Sequence, residues 1–137
     1  MNWTKLALGT VVGGILYFFL GWLIWGILLK DAMTMPEGIR ELIEYKPEEM
    51  KMELMAASCL IWALFMTWIL LKLGNTTFQS GATNGAIIGL LLGLTYGLSF
   101  ASMYKFGSLN NTLIDSVANL VANGIMGGII AWILGRK

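Results

Sequence analysis

The sequence contains no histidine, which removes the commonest general base and the commonest metal ligand together. Its single cysteine, Cys59, has no mate for an internal disulfide and reports nothing about the redox compartment. Charge is scarce. Only 12% of the 137 residues are charged, against roughly a quarter in an ordinary soluble domain. The net charge of +1 gives no basic field to attract nucleic acid. There is no nucleophile with a histidine base, no pair of carboxylates within an apolar run, no phosphate loop and no dinucleotide fingerprint. The expectation is therefore a protein without catalytic residues or a cofactor.

What the chain has instead is apolar length: 57% of it is hydrophobic and its mean hydropathy is +0.73. The charged residues divide it into four uncharged runs, from Leu6 to Leu29, Leu54 to Leu71, Gly81 to Tyr104 and Ser116 to Gly135. About 20 helical residues cross a hydrocarbon core of roughly 30 Å, so each run fits one crossing with modest tilt. Lipid offers no partner to an open sheet edge, so the crossings must be helices. The reading is an all-α membrane protein, a single antiparallel bundle with spans at about 6–29, 51–73, 81–104 and 112–135. The first run is too long for a signal-peptide core and lacks a convincing cleavage site, so it reads as a retained anchor.

The only long connection runs from Asp31 to Met50, and a short interfacial helix is expected at about 35–45. Thr34 and Glu37 have capping-box spacing, and Pro36 suits a first turn. Ile39, Leu42 and Ile43 then share one face, with Arg40, Glu41 and Glu44 on the other. Pro47 is expected to open the second crossing, with Glu48 and Glu49 at its positive end, and Gly74 and Asn75 to close it. Four crossings put both termini on one side, with Lys5, Lys72, Arg136 and Lys137 and no acid. The other side holds Lys30, Arg40, Lys46, Lys51 and Lys105 with most of the acids. The counts of Lys and Arg are nearly level; Arg136 and Lys137, directly beside a span, favour cytoplasmic termini.

Helix three carries the strongest pattern: Gly81, Gly85, Gly89, Gly93 and Gly97 recur every four residues. Each step advances about 400° around the helix, so the ridge drifts slowly and suits a close right-handed crossing. Gly9 with Gly13, and Gly124 with Gly128, offer matching smooth patches on helices one and four. The ridge can serve packing within one four-helix unit or the seam of a homodimer.

On helix four, Asn111, Asp115, Asn119 and Asn123 share a broad face. Asp115 reads either as a first-turn acid complementing the helix dipole or as a proton or cation site. Asn119 and Asn123 read as interhelical hydrogen-bonding groups, with Asn84, Thr95 and Ser99 as candidate partners, or as the lining of a polar path. Two Met-x-Met pairs, Met33 with Met35 and Met50 with Met52, lie on one side of the membrane, and Met55 and Cys59 continue one face of helix two. Met50, Met52, Met55 and Cys59 are soft donors that suit Cu(I), set against methionine's ordinary role as flexible apolar filler. Trp3 and Trp132 mark one interface and Trp22 and Trp25 approach the other, while mid-span Trp62 reads as packing.

The order of a Gly- and Trp-rich first span (Gly21, Trp22, Trp25), a charged loop, a plain second span, a Gly-rich third and a polar-started fourth resembles a known bacterial family. It is the family of small four-helix membrane proteins called domain of unknown function 1761. The resemblance covers nearly the whole chain and implies a four-helix topology in a bacterial membrane, with no activity attached. Two functions stay open: a non-enzymatic structural or accessory subunit of a membrane complex or homo-oligomer, or a small-solute or ion transporter acting as an oligomer.

Overall fold

The computed structural model of the chain describes residues 1–136. All regular structure among them is helical. Helix α1 (Trp3–Leu23) continues directly into one π-helical turn (Ile24–Leu28). The short α2 (Ile39–Ile43) follows, then a 3-10 turn (Pro47–Glu49) and three long helices, α3 (Met52–Lys72), α4 (Phe78–Met103) and α5 (Leu109–Leu134). The four long helices are each long and apolar enough to cross a membrane. They carry large apolar side chains on their outer faces, among them Phe19, Ile61, Leu91 and Trp132. Lipid is the surrounding such faces suit. The orientation argument drawn from Arg136 and Lys137 rests in part on Lys137, which lies outside the described residues.

Helix starts are set by polar caps lying just before the apolar runs. The Asn2 side chain accepts the Lys5 backbone N–H at 3.0 Å, so α1 begins three residues ahead of the uncharged run. Thr77 and Ser80 form a reciprocal capping box at α4, and the Ser108 hydroxyl accepts the Asn111 N–H at 3.0 Å to start α5. Each satisfies donors that the first turn leaves without partners. At the end of α3, Gly74 takes φ 70° and the Asn75 N–H returns to the Leu70 carbonyl at 3.0 Å, a closure that needs the left-handed glycine.

The long loop departs from the expectation. Thr34 does not cap α2; the helix is five residues long, preceded by Gly38 at φ 83°, and has no side-chain cap. Pro47 opens the separate 3-10 turn, and α3 starts only at Met52. The reason is local. Met50 is extended, so the chain re-enters helix after the acidic pair Glu48–Glu49 and not at it.

Helix α5 is the centre. Of its most apolar stretch 56% is buried, against 11% for α4. One face of α5 takes α4 and another takes α1 and α3. The core packs Ala63, Met66 and Leu70 of α3 with Met126, Ile130 and Leu134 of α5. A second, smaller cluster joins Ile24 to Ala118 and Ala122. Tyr17 packs against both clusters and so lies where they meet. At the end carrying the termini, the Lys5 ammonium donates to the Leu134 carbonyl at 2.5 Å, placing a cation on the negative end of α5.

The glycine ridge of α4 lies against α5 of the same chain. A Cβ added at Gly81 would strike the Gly127 carbonyl and Ala131, one at Gly85 the Asn123 carbonyl, and one at Gly89 the Asn119 carbonyl. Further along, Gly93 faces Ser116 and Gly97 faces Thr112. Contact between backbones is what small residues permit in a helix pair. Gly124 and Gly128 are offset from that line, facing Ala86 and the Phe78 ring, while Gly9 and Gly13 face Thr67 and Ile130.

Candidate functional site

Viewed from its sequence, α5 places Asn111, Asp115, Asn119 and Asn123 on one broad face, and in the structure each has found a partner. Asn123, fully buried, accepts the Trp62 indole N–H from α3 at 2.6 Å and donates to the Asn119 carbonyl at 2.8 Å. Tyr17 of α1 lies beside it. Asn119 donates to the Asp115 carboxylate at 3.0 Å and to the Asp115 backbone carbonyl at 2.9 Å. The other carboxylate oxygen of Asp115 accepts the Trp25 indole N–H at 2.7 Å. Nearest the loop, the Asn111 amide accepts the Thr34 N–H at 3.1 Å and donates to the Thr34 carbonyl at 2.5 Å. The result is a linked polar file from Asp115 to Asn123 on the central helix, closed at two points by indoles from two other helices, with Asn111 beyond it tied to the loop.

The partners differ from those expected. Asn84 is not hydrogen-bonded to α5 but donates to the Asn75 side chain at 2.9 Å. Thr95 donates to the Leu91 carbonyl at 2.7 Å, and the Ser99 carbonyl accepts the Ser102 hydroxyl. The physical reason is that α4 offers α5 its glycine face, so α4's polar side chains point elsewhere. The groups that do reach the file are Trp62 and Trp25, for which the sequence predicts packing and a place near the interface. A signal for them exists in the sequence. An indole N–H in an apolar helix needs an acceptor, and α5 carries a run of amide and carboxylate acceptors spaced by four.

Asp115 also sits differently. Helix α5 begins at Leu109, and its first turn holds no acid. Asp115 is therefore in the second turn, about 9 Å along from the first residue at helical rise. Its oxygens take side-chain donors from Trp25 and Asn119 and do not face the free backbone N–H groups of a helix end. The dipole-complement reading is thereby replaced. The π turn bears on this directly, because Trp25 lies within it. That turn closes the C-terminal end of α1.

The sulfur residues are less concentrated than the polar ones. Cys59 is buried on α3, whereas Met50, Met52 and Met55 are each nearly half exposed. The four sulfurs do not share one enclosed place. No group of three or more Cys, Asp or Glu side chains converges among the described residues.

The sequence matches the family described as Protein of unknown function (DUF1761) over residues 8–131. The chain belongs to that family. In this DUF1761 protein the matched range takes in Tyr17, Trp25, Trp62 and the whole polar file of α5. Comparisons with curated proteins and with solved structures gave no match. The family's description assigns no activity.

Proposed function

We propose that this DUF1761 protein is a non-enzymatic accessory or structural subunit of a membrane assembly, built from other subunits or from its own copies. In this reading the long helices form an antiparallel bundle in a bacterial cytoplasmic membrane. The termini face the cytoplasm, and α2 lies in the opposite interface.

One observation carries the reading. Every buried side-chain nitrogen and oxygen among the described residues has a hydrogen-bond partner, and the most deeply buried amide of the file, Asn123, ties α5 to α3 through Trp62. A polar path would need groups left free for water or solute. Two depressions in the surface lie away from the file. One is at the α3–α4 turn, around Thr77, Ser80 and Asn84, and the other is in the long loop.

A second reading, an ion or solute carrier acting as an oligomer, draws on Asp115 alone, a carboxylate inside a candidate span. Against it, Trp25 and Asn119 engage both carboxylate oxygens and Trp62 closes the file at Asn123.

Two measurements check these readings. Purified in mild detergent from its native membrane, the tagged full chain is expected to run as a stoichiometric complex. A lone monomer that supports solute flux in liposomes would reverse the assignment in favour of the carrier. For orientation, reporters fused at the C-terminus and inserted between residues 37 and 49 are expected to report opposite sides, with the C-terminus cytoplasmic. Same-side labelling contradicts the four-crossing topology.

A further inference from the structure

Three helices bring a cation to one height in the bundle. A Cβ on Gly13 of α1 would meet both Ile130 of α5 and Ala63 of α3, so these three positions share a level. Gly9 against Thr67 carries the same register toward the termini. Counted in that direction, Lys5 is eight residues from Gly13, Lys72 nine from Ala63 and Arg136 six from Ile130. At about 1.5 Å per residue, the three heights agree to within about one helical turn.

No acid lies at that height. All eight acidic residues fall between Asp31 and Glu53 or at Asp115. The bonds between Thr34 and Asn111 hold the long loop at the start of α5, the far end of the bundle. There the acids outnumber Lys30, Arg40, Lys46, Lys51 and Lys105. The ion pair among the described residues, Arg40 with Glu44, is in that loop. Among the described residues, the terminal end has cations alone.

Arg136 is the cation best prepared for an anion. Its guanidinium carbon lies 3.8 Å from the centre of the Trp132 ring, and both side chains are on the exposed outer face of α5. Stacking occupies the flat face of the guanidinium and leaves its N–H edge free. That edge matches two oxygens of a phosphate. The Lys5 ammonium, by contrast, is engaged by the Leu134 carbonyl. Trp3 and Trp132 are both exposed near this height, and indoles at the end of an apolar span favour the depth of lipid headgroups.

We infer that the terminal end of the bundle holds an anionic phospholipid, with its phosphate on the Arg136 guanidinium and an acyl chain along Ile129 and Ile125. Lys5 and Lys72 add to the positive field at the same height. Uncompensated cations favour a headgroup of net negative charge, since a zwitterionic one brings a cation of its own. A subunit and a carrier could each hold such a lipid, so failure of the test leaves the subunit reading standing.

The test places a photoreactive residue at Ile129, one turn short of Trp132, in the full chain. The protein is reconstituted into vesicles of equal parts phosphatidylglycerol and phosphatidylcholine. The same residue at Leu113, exposed near the other end of α5, is the control. Lipid adducts identified by mass spectrometry are expected to favour phosphatidylglycerol at position 129 and to show no preference at position 113. Arg136→Gln is expected to lower the preference about fivefold, the order of one cation's contribution at an anionic surface. Trp132→Leu keeps every charge but removes the platform, and is expected to lower it as well, with Arg136→Lys falling between. Arg136 is exposed, so its replacements leave the packing intact, which thermal unfolding of each variant checks. Equal adducts of both lipids in the wild type, or equal losses from Arg136→Gln and from Lys51→Gln at the far end, overturn the site. Displacement of the lipid by inorganic phosphate at constant ionic strength would assign the guanidinium to a free anion and overturn the lipid. Adducts in the native membrane to an acidic protein segment, with none to phospholipid, would overturn it too.

Discussion

Gly85→Leu and Gly89→Leu are expected to undock α4 from α5 and to lower stability by about 3 kcal/mol or more, the upper range for overpacking a closed interface. Even the Cβ of alanine at these positions would meet a backbone carbonyl of α5, from Asn123 and Asn119 respectively. A carbonyl cannot rotate aside as a side chain can, so the helices themselves must part. Gly124→Ala is the informative contrast. Its Cβ would sit 3.4 Å from the Ala86 methyl, an ordinary contact, and less than about 1 kcal/mol is expected from a change that fills space without strain. Thermal unfolding in detergent measures both effects. Docking can be read separately through an engineered disulfide between Ala86→Cys and Gly124→Cys, in a Cys59→Ala background, since that Cβ separation is near the usual disulfide value. Efficient disulfide formation with Leu at position 85 would mean that α4 is not seated as described.

The second large effect is expected at the buried amide of α5. Asn123→Leu removes the acceptor of the Trp62 indole and leaves a donor buried without a partner, at a cost of about 1–3 kcal/mol. Adding Trp62→Phe deletes that orphaned donor, so the double variant is expected to be less destabilised than the sum of the single changes. A double-mutant cycle by thermal or chemical unfolding gives the coupling. Additive effects would show that the 2.6 Å hydrogen bond contributes nothing to stability. If the amide instead lined a watered path, Asn123→Leu would change stability little and abolish flux.

Much of this molecule can be read from its residues because its surroundings impose so few solutions. Uncharged runs of bilayer length leave only helices, and the four long helices lie where those runs are. Their starts are where the reading by charge falls short. The polar residues Asn2, Thr77 and Ser108 belong to caps, so α1 and α4 begin three residues, and α5 seven residues, before their uncharged runs. The shift matters most for Asp115. Moved from the first turn to the second, it ceases to be a neighbour of the helix end and becomes a group within the helix that needs partners.

The polar face of α5 was visible as a spacing of four, but its partners were not. Periodicity within one helix says which residues share a face; it says nothing about which helix covers that face. Here α4 covers it only partly, with glycines, and the donors come from Trp25 and Trp62 on other helices. The π turn that carries Trp25 has no composition signature, since Ile24–Leu28 reads as an ordinary apolar stretch. In the long loop, Thr34 and Glu37 have the right spacing for a cap. In the structure Thr34 is instead held by its backbone, with the Asn111 amide pairing both its N–H and its carbonyl.

The central position of α5 has a consequence for biogenesis. A chain is made from its N-terminus, and of the four long helices α5 emerges last. Before it does, α1 and α3 can already pair through Gly9, Gly13 and Gly14 against Thr67, Ala63 and Leu60. The smooth face of α4, by contrast, packs on the helix still being synthesised. During that interval Asn75 and Asn84 can bond to each other across the α3–α4 turn, but the glycine ridge must wait in lipid. Docking of α5 against the α1–α3 pair and α4 is therefore the step expected to come last among the four long helices.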